Sequence, residues 1–232
     1  MLVVGFPAAA FDTNCYVLAP GPGGECVVVD PGVDVEPHID SVLSEFGLRP
    51  VAVLLTHGHL DHTFAVTPVC GAHGIPAWIH PDDRRLLEDP MLGVSEQSRA
   101  AFHGRLEWTE PDDVKLLTDG AVIELAGLQF TVDHAPGHTP GSVMFRLPPD
   151  AQTHQPVLLS GDVLFRGSIG RSDLPGGSYE QMLQSLATKV LPLADETVVL
   201  PGHGDATSIG AERAANPYLA EAVPLAGPHR GL

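Results

Sequence analysis

Val51-Ala52-Val53-Leu54-Leu55-Thr56-His57-Gly58-His59-Leu60-Asp61-His62 begins as a short apolar run and ends with three histidines and an aspartate. The run Val51 to Leu55 reads as a buried strand, and the residues after it fall in the loop at its carboxyl end, where α/β folds place their chemistry. In extended backbone His57 and His59 project to one side, and Asp61 and His62 come next as the loop turns. This is the make-up of a metal cradle. An open catalytic zinc usually takes three protein ligands, so four from a single loop suggest two neighbouring ions.

Three distant segments repeat the pattern of a β-type run stopping at a candidate ligand. Leu128 to Val132 leads into Ala135-Pro136-Gly137-His138-Thr139-Pro140-Gly141-Ser142, Val157 to Ser160 into Gly161-Asp162, and Thr197 to Leu200 into Pro201-Gly202-His203. Together the segments offer five histidines and two aspartates, each at a strand end. Glycine and proline flank His138 and His203, as expected where backbone packs closely around a fixed ligand.

The THxHxDH loop, the PGHTPGS segment, the SGD step and the late PGH, in this order, resemble the metallo-β-lactamase superfamily. Gly161-Asp162-Val163-Leu164-Phe165, Gly170-Arg171-Ser172-Asp173 and Asn216-Pro217-Tyr218-Leu219 are most similar to its bacterial type II glyoxalase (hydroxyacylglutathione hydrolase) branch. The resemblance covers nearly the whole chain. It implies an α/β fold, a four-layer αββα sandwich with the metal site along one edge. It also implies His57, His59 and His138 on one metal, Asp61, His62 and His203 on the other, and Asp162 bridging them, with Asp61 and Asp162 the catalytic candidates. The implied reaction is thioester hydrolysis, an S-2-hydroxyacyl thiol giving a 2-hydroxy acid and free thiol by attack of a metal-bridging hydroxide. Two ions about 3.5–4 Å apart can share a water and lower its pKa to about 7. Histidine and carboxylate donors accept zinc, iron or manganese, and zinc is the first choice for the two divalent ions.

Asp30, closing Val27-Val28-Val29-Asp30-Pro31-Gly32, matches an aspartate that the family places beneath the metal loop. There it could accept the free ring nitrogen of a bound histidine; a plain turn before Pro31 is the competing role. Thr56 and Thr139 read as hydrogen-bonding supports. Arg171 falls where the family has a basic residue beside the metals and could hold a substrate carboxylate, or it could pair with Asp173. Only 29 residues come after His203, and Gly204-Asp205 stands where longer glyoxalases have a tyrosine. Their glutathione contacts are therefore not carried over. Rival readings are a persulfide dioxygenase with one iron, a lactone or β-lactam hydrolase, and a non-catalytic metal-binding protein. Asp162 is unlike the cysteine of common zinc lactamases, and the complete ligand set speaks against lost catalysis.

The remaining composition fits a small-molecule enzyme. The 232 residues show no composition break, so one domain over 1–232 is expected, with strand runs alternating with helices such as Val35 to Phe46 and Tyr179 to Val190. Twelve Lys and Arg against 29 Asp and Glu give a net charge of −17, which repels nucleic acid in the absence of a basic stripe. No run approaches the roughly 18 apolar residues of a membrane span. Leu2 to Phe11 has no Lys or Arg before Arg49 to make it a signal, and is read as the first strand. Cys15, Cys26 and Cys70 are odd in number and unpaired in spacing, as suits buried reduced thiols in a cytoplasmic protein. His80 and His134 are expected near the site in a packing role, and His38, His73, His103, His154 and His229 as surface or structural residues. The polar stretch Asp82 to Asp119, with Met91, Leu92, Phe102 and Trp108, reads either as a helical cover beside the cleft or as a structural insert.

Overall fold

A computed structural model describes residues 1–96, 99, 108–149 and 154–226. In the first sheet β1 (Leu2–Pro7), β2 (Asn14–Ala19) and β3 (Glu25–Val29) run antiparallel, and β3 then continues in parallel with β4 (Arg49–Leu54), β5 (Ala77–Ile79) and β6 (Val114–Leu116). The second sheet is a meander of β7 (Val122–Leu125), β8 (Leu128–His134), β9 (Val143–Leu147) and β10 (Val157–Gly161). Its far side adds β11 (Val198–Pro201), parallel to β10, and β12 (Thr207–Ser208).

Side chains alternate between the faces of a strand, and here both faces are apolar. Val17, Val28 and Val53 face one way, where α1 (Glu36–Phe46) and, after the short α2 (Leu60–Thr63), α3 (Val66–His73) cover them with Ile39, Val42, Val66 and Val69. Their neighbours Leu18, Val27, Val29 and Leu54 face the other way and meet Phe130, Val132, Phe145 and Leu159 of the second sheet. Phe130 and Phe145 pack edge to face at 6.3 Å. On the far side of the second sheet, Met144, Leu158 and Val199 lie under residues of three helical elements after the short α4 (Arg84–Glu88). These are α5 (Tyr179–Ser185) with the π turn Leu186–Val190, α6 (Ile209–Ala215) and α7 (Pro217–Ala222), which contribute Met182, Leu186, Ile209 and Leu219. Helices, two sheets and helices thus stack as the expected αββα sandwich. Each fully buried Leu or Phe contributes about 1.5–3 kcal/mol, so the three interfaces are the main hold on the fold.

The differences from the sequence reading are local. The first strand stops at Pro7 rather than Phe11, because Phe11 and Asp12 enter the left-handed region, at φ 68° and 53°, and turn the chain. The stretch after Asp82 carries α4 between 3-10 turns at Pro81–Asp83 and Pro90–Gly93, and then returns to the first sheet as β6, a strand too short for its alternation to be read. Phe102, His103 and His229 lie outside the described residues. Cys15, Cys26 and Cys70 are buried and unpaired, and burial pushes the Cys26 and Cys70 thiols up to about 12. Among the described residues no helix is long and apolar enough to cross a membrane.

Candidate metal centre

The ends of β4, β8, β10 and β11 open along one edge of the sandwich, and all seven predicted ligands meet there. His57 Nε2, His59 Nδ1 and His138 Nε2 form one group: His138 Nε2 lies 2.8 Å from His59 Nδ1 and 3.2 Å from His57 Nε2. His62 Nε2, His203 Nε2 and Asp61 Oδ2 form another, with the ring nitrogens 3.3 Å apart and Asp61 3.5 and 3.3 Å from them. Asp162 faces both groups. Its Oδ1 is 3.3 Å from His62 Nε2, and its Oδ2 is 3.5 Å from His138 Nε2 and 3.6 Å from His203 Nε2.

What each ring presents to this space is fixed by its other nitrogen. His62 Nδ1 is 3.0 Å from Asp30 Oδ2, His138 Nδ1 is 2.6 Å from the Arg171 carbonyl, and His203 Nδ1 is 3.1 Å from the Phe11 carbonyl. These oxygens only accept, so each Nδ1 carries a proton. Thr56 Oγ1 gives its proton to Asp30 Oδ2 at 2.6 Å and therefore accepts from His57 Nδ1 at 3.1 Å. Neutral rings would then aim the Nε2 lone pairs of His57 and His138 at one another across 3.2 Å, and the Nε2 atoms of His62 and His203 face each other at 3.3 Å beside Asp61 and Asp162. Lone pairs so close repel unless positive charge lies between them. Asp162 Oδ1, which faces this space, is buried with no hydrogen-bond partner among the described residues. A donor set of imidazole nitrogens and carboxylate oxygens arranged in this way fits divalent metal ions.

The electrostatics divide the groups. Burial, reinforced by His62 and His138, holds His57 well below the usual range, and burial with His138 takes His59 down to about 3. Burial would also lower His62, but Asp162 and Asp61 overcome it and raise that ring well above its ordinary value. His203 is likewise raised against burial by Asp61 and Asp162. In return His62 and His203 hold Asp61 below the carboxylate range, against burial, and His62 does the same for Asp162.

The supporting residues are themselves buried. Asp30 sits in the left-handed region, at φ 49°, and takes the Thr56 N–H at 2.8 Å as well as Thr56 Oγ1 and His62. It is both the turn residue and the histidine acceptor anticipated from sequence. Thr13 Oγ1 donates to Asp61 Oδ2 at 3.0 Å. Asp83 accepts from Gly58 N, Thr139 Oγ1 and Gly141 N at 2.6–2.8 Å; burial raises its carboxyl and these donors partly offset the rise. Neither Thr13 nor Asp83 stood out in the sequence, although Asp83 comes just after β5, as the predicted ligands come after their strands. The His80 and His134 rings stack at 4.0 Å and 12°, with His80 Nδ1 accepting from Asp82 N at 3.3 Å and His134 Nε2 at 2.8 Å from the Pro140 carbonyl, contacts that suit the packing role expected of them.

A cleft of about 480 Å³ opens over the ligands between Phe11, Leu60, Val94, Phe165 and Leu174. Arg171 is its one Lys or Arg among the described residues, and that guanidinium is held by Asp173 at 2.7 and 2.8 Å.

A family model described as the metallo-beta-lactamase superfamily matches residues 8–203. The chain belongs to the metallo-beta-lactamase superfamily. Hydroxyacylglutathione hydrolase GloC of Haemophilus influenzae is 35% identical over 214 residues, covering 92% of this chain and 95% of its own. Among solved structures, the BLEG-1 B3 metallo-beta-lactamase matches with a TM-score of 0.81 at 40% identity, over 94% of this chain and 99% of that one. TTHA1623 in a di-iron-bound form matches with a TM-score of 0.74 at 37% identity, over 93% and 100%. Members of this superfamily are generally hydrolases, and the His and Asp clusters of this chain suit divalent metals as the cofactor class.

Proposed function

We propose that this member hydrolyses thioesters in the manner of type II glyoxalases, converting an S-2-hydroxyacyl thiol to a 2-hydroxy acid and free thiol, with two divalent ions, zinc by preference. His57, His59 and His138 would hold one ion, Asp61, His62 and His203 the other, and Asp162 both. The observation that carries the reading is the facing of ring Nε2 atoms at 3.2 and 3.3 Å across a space that two aspartates also face. The likeness to GloC supports the thioester class, and the di-iron form of TTHA1623 supports two ions.

Bound ions of this kind supply Lewis acidity toward a carbonyl and make water acidic enough to ionise near neutral pH. The chain's own residues do the rest. Asp30, the Phe11 carbonyl and the Arg171 carbonyl hold three ring protons on Nδ1, which keeps the Nε2 atoms of His62, His203 and His138 free for their ligand role. Phe11, Leu60, Phe165 and Leu174 wall the cleft with apolar surface, which keeps bulk water from an acyl group held there. A thiolate leaves with little need of a proton, so the reaction requires no general acid from the chain. The buried unpaired thiols support a reducing, cytoplasmic compartment.

The test is elemental analysis of gently purified protein beside S-lactoylglutathione hydrolysis. Two equivalents of metal, and hydrolysis abolished by chelation and restored by Zn²⁺, are expected. Full turnover by stripped protein would refute the reading, as would one iron with oxygen uptake on a glutathione persulfide. The likeness to BLEG-1 favours β-lactam hydrolysis as a second reading, and a chromogenic cephalosporin run in parallel separates the two.

A further inference from the structure

We propose that Asp83 is a positioning residue that fixes the separation between the His57–His59 loop and His138, and so sets metal affinity in the three-histidine half of the centre. The inference rests on the metal reading above. Asp83 is fully buried and both of its oxygens are taken by hydrogen-bond donors, so it is not itself a ligand. Its Oδ2 accepts from Gly58 N at 2.8 Å and Thr139 Oγ1 at 2.6 Å, and its Oδ1 from Gly141 N at 2.7 Å. Gly58 stands between His57 and His59, and Thr139 is next to His138. One carboxylate therefore clamps the two backbone segments from which all three rings spring.

The clamp needs this chemistry. Three donors converge on two oxygens that only accept, whereas an amide would turn an NH₂ toward at least one of those donors. The approach is so close that a Cβ on Gly141 would lie 2.6 Å from Asp83 N and 2.7 Å from its Cβ. A second tie runs alongside. His80, three residues before Asp83, stacks on His134, whose Nε2–H donates to the Pro140 carbonyl at 2.8 Å in the same His138 loop. The other half of the centre is held by different residues, Asp30, Thr13 and the Phe11 carbonyl. Loss of Asp83 should thus act on one half and spare the other.

The experiment titrates metal-free protein with Zn²⁺ against a competing chelator and reads two stepwise dissociation constants, assigned with His59→Ala and His203→Ala, each of which deletes one step. In Asp83→Asn the step lost in His59→Ala weakens about 10–100-fold, as removal of a supporting partner does, while the other step stays within about threefold. Thr139→Val weakens the same step by a smaller factor, and Thr139→Ser, which keeps the hydroxyl, restores it; this pair decides if Asp83→Asn does not fold. Equal weakening of both steps, or of neither, overturns the proposal. If the wild type takes up no Zn²⁺, the functional reading falls, and amide exchange in metal-free protein still tests the clamp. Gly58 and Gly141 should exchange about tenfold faster in Asp83→Asn, and unchanged rates at both overturn it.

Discussion

The two halves of the centre use the same donor types but differ in charge. Around His57, His59 and His138 burial dominates, so that His57 and His59 are pushed down and stay neutral, and the half shares a single carboxylate, Asp162. Around His62 and His203 the carboxylates Asp61 and Asp162 dominate and raise both rings against the same burial. The first half thus depends on geometry, since neutral lone pairs bind only when correctly aimed. The second attracts any cation by charge, a proton included, and a metal ion entering it must displace protons. Asp162 is the one group on which both depend, which makes it the first place to break the comparison. Asp162→Ala should weaken metal binding in both steps and lower kcat/KM by about a thousandfold or more, several kcal/mol of transition-state stabilisation being at stake. Metal content and hydrolysis measured on one preparation check this; retention of both equivalents, or turnover without them, would refute the shared role.

The supports sharpen the contrast. Asp30 serves the charged half directly through His62, and reaches His57 only by way of Thr56 Oγ1. Asp30→Asn keeps the shape but turns an NH₂ toward a donor, so the His62 ring loses its acceptor or its tautomer. Metal affinity in the step lost in His203→Ala should fall about 10–100-fold, with less effect on the other step. Stability of the metal-free protein should drop by about 1–3 kcal/mol, the cost of a buried donor left unmade, read from urea unfolding. A larger loss in the three-histidine step would mean that the Thr56 relay outweighs the direct bond.

How much of this the sequence disclosed depends on where the chemistry sits. His57, His59, Asp61, His62, His138, Asp162 and His203 are legible because each interrupts an apolar run with a polar group, at a strand end, where packing alone would never put one. The sandwich is legible for a related reason: Val27 to Val29 and Val143 to Phe145 are apolar at successive positions, and only strands covered on both faces need that. The acceptors of His138 and His203 are backbone carbonyls, identical in every residue, and only the folded chain says that Arg171 and Phe11 supply them. Asp83 stands beside Asp82 in a polar stretch, yet one is fully buried and the other exposed, and nothing in their side chains tells them apart.

The smallest expected effect belongs to Arg171, where side chain and backbone have separate duties. Its carbonyl orients His138, but its guanidinium points to solvent at the cleft edge and is engaged by Asp173, a partner just as exposed. Pairs of this kind are weak, and Asp173 is easily exchanged for another carboxylate. Arg171→Ala keeps the carbonyl, so both metal steps should stay within about threefold of wild type. If a substrate carboxylate displaces Asp173 during turnover, KM for an acidic thioester rises while kcat and the KM of a neutral thioester hold. Equal KM changes for acidic and neutral substrates would assign Arg171 to the cleft wall alone. A fall in metal affinity would instead mean that the side chain, through Asp173, holds the carbonyl in place.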